Sequence, residues 1–473
     1  MTLVHILVFT TISLVIAWVP SKIWRGWMLF GISVLAVYIL QPEVPLRQFG
    51  FWYPTLAIAL SFLIWISVST GMRKFQRVDF LALALAILMI LALDMTRWLP
   101  ARLTFLPGGQ PNPSSLAIGL LMLSVLGWML WKLSGRGSIV PWVMFAMVVA
   151  VFIVQKWIPA GLSVSRLLRS FTGQSSDLAS MKDLSWLGYS YIAFRLLHTL
   201  RDGMTGRLPI VDFQAFLTYV LFFPMLVAGP IDRIERFNQE FEERPRITAT
   251  RIYRGLTRIL LGVFKKFVLA DSLALIALND INAPLVNGAG WMWILLYAYS
   301  FRLYFDFSGY TDVAIGMGVL MGFRLPENFD QPYLKTDLAA FWNSWHITLA
   351  QWFRAYVFNP LTRSLRRGAL QHKIWLIILA GQLITMTLIG LWHGVAINFT
   401  LWGLWHAAGL FIHNRWVEFR RVRQLNLQPG YLARVEPFMG GLITFHFVSL
   451  GWVWFALSDP ALSLHVFRSL FGA

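Results

Sequence analysis

The feature that most constrains this chain is a succession of apolar runs, each about as long as a bilayer core is thick. A helix rises about 1.5 Å per residue, so a hydrocarbon core of about 30 Å takes roughly 17 to 25 residues. Such runs fall near residues 2–19, 24–40, 51–70, 78–93, 114–133 and 138–155. Later ones follow at Trp186–Leu200, Val211–Val227, Trp291–Phe307, Lys373–His393, Ala396–His413 and Pro437–Leu457. A further segment, Thr250–Ala277, is apolar on one side and carries Arg251, Arg254, Arg258, Lys265 and Lys266, which snorkel as it lies along or enters the membrane obliquely. The total is about twelve or thirteen membrane segments. Inside hydrocarbon a backbone must satisfy its own hydrogen bonds, which runs of this length do as helices. The expected fold class is all-α, a polytopic integral membrane protein.

Composition excludes the soluble alternative. The 473 residues are 57% hydrophobic and only 13% charged, with a mean hydropathy of +0.62, far from average soluble usage. A net charge of +18 would point to nucleic acid in a soluble chain. Here the cations lie mainly in short loops between apolar runs, the pattern that orients a membrane protein and attracts anionic lipid, so membrane lipid is the expected partner and nucleic acid is not. Loops one, three and five carry Lys22 and Arg25, then Arg73, Lys74 and Arg77, then Lys132 and Arg136. That alternation puts these loops in the cytoplasm and the amino terminus outside. The absence of cysteine excludes disulfides, thiolate metal sites and cysteine nucleophiles. Thr2–Val19 has no basic leader region and no small-residue cleavage site, so it reads as a retained span.

The organisation follows from where polarity interrupts. Residues 1–156 form an amino-terminal transmembrane scaffold without polar constellations in its spans. Residues 157–184 are a Ser-rich, basic, polar connection, residues 185–457 a core with ionisable groups inside apolar runs, and residues 458–473 a short tail.

Ionisable groups within membrane segments are costly and face a cavity or a partner, which makes them functional candidates. The stretch FWNSWHITLAQWFRAYVFNPL, Phe341–Leu361, reads as one helix. At about 100° per residue, Trp342, Trp345, Leu349, Trp352, Phe353 and Tyr356 make an aromatic stripe, and Asn343, His346 and Arg354 a polar one beside it. On the run Lys373–His393, Gln382, Thr385 and His393 share one face, with Trp392 beside the histidine. Histidine suits proton transfer because its reference pKa of about 6.5 lies near working pH. An imidazole kept neutral by burial accepts a proton from a hydroxyl. The structural alternatives stay open: His393 as a histidine bonded to a carbonyl at a helix break, His346 as incidental to an interfacial amphipathic helix. Asp306 and Arg354 are suited to orienting or pairing, and His406 and His446 to packing. Gly309, Gly316, Gly318 and Gly322 allow close helix approach. No HExxH-type metal spacing, nucleophile elbow or phosphate loop occurs.

In order, AGPIDR, YFDFSGYTDVAIG, MGFRLPENFDQPY, the FWNSWHIT stretch and LIGLWHGVAINFTLWGLWH resemble the motifs of the membrane-bound O-acyltransferase (MBOAT) family, over roughly residues 185 to 457. The bacterial branch in view holds the alginate O-acetylation and teichoic-acid D-alanylation membrane proteins. Arg354-Ala355-Tyr356 stands where that family commonly has Arg-Asp-Tyr. The resemblance implies a ring of membrane helices around a tunnel. It also implies no tightly bound cofactor and, as co-substrate, a cytoplasmic acyl thioester (acetyl-CoA or an acyl carrier protein).

The family's two functional histidines fall on His393 and His346, which become the expected catalytic residues, His393 foremost. Asp306, Asn343, Trp345, Arg354, Gln382, Thr385 and Trp392 are the expected substrate-binding residues. The implied reaction moves an acyl group, most simply acetyl, to a hydroxyl of an exported polysaccharide or other envelope glycan at the inner (cytoplasmic) membrane, with an extracytoplasmic acyltransferase as partner. Two readings compete: a proton-coupled transporter using His346, His393 and Asp306, and an O-acyltransferase acting on a lysolipid or small secreted molecule.

Overall fold

The computed structural model describes residues 1–69, 74–99, 109–134, 139–243, 247–368, 370–423 and 431–472, the side chains of 431–434 excepted. Arg73 and Arg136, two of the cations used above to orient the chain, lie outside these residues. The described chain is helical, and among the described residues strand-like pairing is confined to one bridge between Phe329 and Trp345. Its contacts divide it into two compact units, Met1–Ile259 with Val313–Leu325, and Leu260–Asp312 with Pro326–Ala473.

In the first unit the apolar runs become α1 (Leu3–Trp18), α2 (Lys22–Ile39), α3 (Phe49–Ser69), α4 (Arg77–Met95), α5 (Pro113–Leu133) and α6 (Val140–Lys156), within a few residues of expectation. Their ends follow local chemistry. Ser21 caps α2 by accepting from the Trp24 amide, and Pro113 opens α5 where no amide donor is needed. Arg25 is not a loop cation. It is buried in α2, where its guanidinium donates to the carbonyls of Glu243 at 3.1 Å and Met321 at 3.0 Å.

The polar connection also differs from expectation, because Ile158–Phe171 folds as α7, bent 98° from α6 at Trp157. Its serines and arginines lie on one face, and Ser165 and Arg169 there bond Asp183 at 2.6 Å each. The first unit continues with α8 (Tyr189–Met204), α9 (Phe213–Leu221), α10 (Ile234–Glu242) and the first part of α11 (Ala249–Phe264). The expected span Val211–Val227 is helical in α9 for 9 residues, and Pro224 directs the remainder into a 3-10 turn.

In the second unit α11 passes through a π-helical turn, Lys265–Ala270, into α12 (Asp271–Ala274). Then α13 (Ala289–Met321) runs 33 residues without a break and carries on into the first unit's Val313–Leu325. Gly309 permits its close approach to α11, since a Cβ there would stand 2.7 Å from the Gly262 carbonyl oxygen. The remaining helices are α14 (Leu338–Trp342), α15 (Ile347–Phe353), α16 (Asn359–Arg366), α17 (Ile374–His393), α18 (Ile397–Val422), α19 (Tyr431–Ala456) and α20 (Pro460–Leu470).

Among the described residues six helices are long and apolar enough to cross a membrane, or up to seven if the bent α6–α7 pair is one span. The expected twelve or thirteen segments count shorter and charge-bearing helices as well, such as the apolar α1. The protein is an all-α, multi-pass membrane protein.

Candidate active site

The stretch Phe341–Leu361 does not form one helix. It breaks after α14, and His346 takes a left-handed backbone with φ 42°. Such a conformation costs a non-glycine residue about 1 to 3 kcal/mol and persists where surrounding contacts over-determine it. Those contacts come from the Pro-bounded loop at 326–333. The Asp330 amide donates to the Ser344 carbonyl at 3.0 Å, and the Ile347 amide donates to the Asn328 carbonyl at 3.0 Å. These bonds take up a donor and an acceptor that a continuous helix would use internally. Two motifs that are separate in sequence, PENFDQPY and WHIT, therefore fold as one structure.

Asn328 settles the state of the histidine. It is fully buried, and its Oδ1 lies 3.1 Å from the Thr348 backbone nitrogen and 2.9 Å from the Thr348 hydroxyl. A backbone N–H only donates, so that Asn328 atom must be the acceptor oxygen. The same oxygen lies 3.1 Å from His346 Nδ1, which must then carry the proton. In the neutral ring this leaves Nε2 as the acceptor, and Nε2 is buried with no hydrogen-bond partner in the protein.

The second histidine arrives on the last residue of α17. A tight hairpin sets its place: a Cβ on Gly390 would stand 2.1 Å from the Phe399 carbonyl oxygen, and one on Gly403 2.6 Å from that of Met386. Only glycine lets α17 and α18 approach this closely. The His393 ring then sits 4.4 Å from Trp392, 4.7 Å from Phe455 and 5.6 Å from Trp402, centroid to centroid. Trp392 bridges the pair, 5.9 Å from the His346 ring.

His346, His393 and Trp345 line one cavity of about 30 Å³, closed by Phe307, Trp402, Trp452 and Phe455. A space of that size is close to one water molecule's share of the liquid. It admits a small polar group beside the two rings, not a long chain.

A second cavity, about 200 Å³, is lined by Asn343, Arg354, Gln382, Thr385 and Asn414 among others. Arg354 donates to the Asn343 side-chain oxygen at 2.7 Å. Gln382 Oε1 and Thr385 Oγ1 are buried there without partners. Trp342 and Ile389 line both cavities. The face of α17 thus runs from Gln382 and Thr385, past Ile389, to His393.

Asp306 and Trp392 are the expected residues that line neither cavity, though Trp392 packs against both histidine rings and Asp306 does not. Asp306 pairs with Lys266, one helical step from the pair of Lys265 with Asp312 at 2.6 Å. His406 is buried against Phe341, Trp342 and Trp402, and His446 bonds Tyr297 at 2.9 Å. No group of three or more His, Asp or Glu converges among the described residues as a metal site.

Sequence reasoning missed Asn328, Trp342 and the α19 residues Trp452 and Phe455. A buried asparagine between two prolines in a motif loop was the available signal for the first. Trp342 stood in the aromatic stripe beside Trp345, which was its signal, whereas Trp452 and Phe455 depend on packing between distant helices and had none.

The family model of MBOAT, the membrane-bound O-acyltransferase family, matches residues 112–431. A probable alginate O-acetylase AlgI of Pseudomonas aeruginosa is 34% identical over 314 residues, 65% of this chain and 55% of that protein. A teichoic acid D-alanyltransferase of Streptococcus thermophilus is 31% identical over 284 residues, 58% of this chain and 68% of that protein. A peptidoglycan O-acetyltransferase of Helicobacter pylori is 34% identical over 278 residues, 58% of this chain and 49% of that protein. The chain thus spans little more than half the length of the alginate relatives it matches. The match covers both histidines, the loop that holds His346 and the glycines that place His393, and the chain belongs to the membrane-bound O-acyltransferase family.

Proposed function

We propose that the protein is an O-acyltransferase of the cytoplasmic membrane, amino terminus outside. It moves an acyl group, most simply acetyl, from a cytoplasmic thioester such as acetyl-CoA or an acyl carrier protein to a hydroxyl of an exported polysaccharide or other envelope glycan. The observation that carries this reading is the shared small cavity of His346 and His393, one of whose histidines has a tautomer set by Asn328. The relatives support the substrate class, since they are named for acetylating alginate or peptidoglycan or for D-alanylating teichoic acid.

His393 is the general base. As the acceptor oxygen bonds the thioester carbonyl carbon, its proton passes to the imidazole, the C–S bond breaks, and the thiolate leaves and takes the proton back. His346, able only to accept at Nε2, assists from across the cavity by binding a neighbouring donor of the acceptor, since the hydroxyl's single proton goes to His393. Binding belongs to the larger cavity, where Arg354, Asn343, Gln382 and Thr385 offer charge-assisted and neutral hydrogen bonds to the polar arm of a thioester. Trp345 and Trp392 exclude water around the histidines. A separate extracytoplasmic acyltransferase as partner completes the delivery to glycan.

The test is His393→Ala in cells, with membrane abundance checked and acylation of the envelope glycan measured. Loss of a general base costs about 10²- to 10⁴-fold, and undiminished acylation would overturn the assignment. Proton-coupled uptake in vesicles without acyl transfer would decide for a transporter. Acylated lysolipid in place of glycan would redirect the acceptor.

A further inference from the structure

A cavity of the first unit, lined by none of the residues around either histidine, opens between α3, α4 and α5 and measures about 380 Å³. Its lining is almost wholly apolar, from Ile58 and Phe62 on α3, Leu83 and Ile87 on α4, and Leu123 and Trp128 on α5. The two hydroxyls it contains are already committed. Thr55 donates to the Phe51 carbonyl at 2.9 Å, and Ser124 donates to the Leu120 carbonyl at 2.8 Å. A dry apolar cavity of this kind takes up hydrocarbon and not water.

Its length and its rim narrow the occupant. On α3 the lining runs from Thr55 to Ile66, which is about 16 Å of helix, or half of a core about 30 Å thick. The cavity is therefore one leaflet deep. It ends toward the loop joining α3 to α4 and the last turn of α5, marked by Phe75 and Trp131. Basic side chains stand at that end: Lys74 and Arg77 are exposed beside the start of α4, and exposed Lys132 lies 4.1 Å from the Trp128 ring. Phe80, Trp128 and Trp131 are exposed as well, so the cavity opens sideways.

We propose that this groove is a binding site for one anionic phospholipid, its acyl chain between α3, α4 and α5 and its phosphate at Lys74, Arg77 and Lys132. Phosphate and apolar chain are then recognised by chemistry that a zwitterionic lipid satisfies only in part.

Native mass spectrometry of the full chain, purified and exposed to equal amounts of phosphatidylglycerol and phosphatidylcholine, tests this. The wild type should retain the anionic lipid about tenfold over the zwitterionic one. Reversal of all three cations (Lys74→Glu, Arg77→Glu, Lys132→Glu) should bring the ratio to about one, because exposed charges act here through the lipid surface. Ser124→Phe, which fills the groove, should lower retention of both lipids. A wild-type ratio near one, or a ratio unchanged by charge reversal, would overturn the proposal. Unchanged retention in a folded Ser124→Phe protein would remove the acyl chain from the groove. A photo-crosslinker at Leu83 that captures a protein in place of lipid would do the same.

Discussion

Arg195 and His346 are both polar side chains held out of water, each in its own unit, and they differ in how much of each is taken up. Arg195 keeps only its Nε without a partner, whereas His346 leaves one of its two ring nitrogens open beside a cavity. Arg195 is fully buried in α8, and its guanidinium donates to the carbonyls of Val220 at 2.6 Å and Met225 at 2.7 Å, where the chain turns after α9. Asp183 is treated likewise, bound by Arg169 and Ser165, and Asp79 accepts from the Phe213 amide at 2.9 Å. In the second unit, His346 has one nitrogen committed and one without a partner, and Gln382 and Thr385 each bury an oxygen with none. A polar group taken up by neighbouring backbone and side chains specifies a fold, whereas one left open beside a cavity is available to a ligand. Cavity volume is a poorer guide. The 380 Å³ cavity of the first unit is almost wholly apolar, and the 30 Å³ cavity of the second joins both histidines.

The comparison breaks most easily at the histidines. His393→Ala, and separately His346→Ala, should lose about 10²- to 10⁴-fold in glycan acylation at unchanged membrane abundance. Asp183→Asn should do the reverse, leaving Arg169 buried and uncompensated, with a stability loss of about 3 to 5 kcal/mol in detergent melting. This pair also has a pH signature. Burial alone would raise the Asp183 carboxyl, but the bonds from Arg169, Ser165 and the Ser180 amide outweigh it and hold it below the ordinary carboxylate range. Its stabilisation is thus complete above the unfolded value of about 4 and is lost as pH falls through the lower folded value. The variant should melt with a flatter dependence across that acid window.

Smaller effects sharpen the contrast. Arg195→Met leaves the Val220 and Met225 carbonyls unpaired and should cost about 2 to 3 kcal/mol of stability, while molecules that remain folded keep their acylation rate. Asn328→Ala frees the His346 tautomer and should lower acylation about tenfold or more, as where an orienting residue is removed from behind a histidine. A loss of abundance without a change in rate per molecule would make Asn328 purely structural. Asp306→Asn should change acylation less than about fivefold, because its partial exposure and its pairing with Lys266 resemble a surface ion pair. A larger loss would return Asp306 to the site.

Much of the architecture is legible in the sequence because hydrocarbon is an unforgiving solvent. Runs of apolar residues have one way to satisfy their amides, so α2 to α6 begin and end where hydropathy and capping residues place them. The same physics singled out His393, Gln382 and Thr385 on α17. Periodicity failed at His346, because the loop around Asn328 and Asp330 captured backbone groups that a local reading assigns to a helix. It also failed at Ile158–Phe171, where polarity marked the face of a helix and not a connection, and at Arg25, whose partners lie more than 200 residues away. By itself the sequence determined the membrane setting, the helical class, the family motifs and the two histidines. Only the tertiary structure decided which side chains share a cavity, which histidine nitrogen carries the proton and which buried charges are already satisfied. The reason is that helix formation is decided within a few residues, whereas a buried polar group is completed by whichever distant segment packs against it.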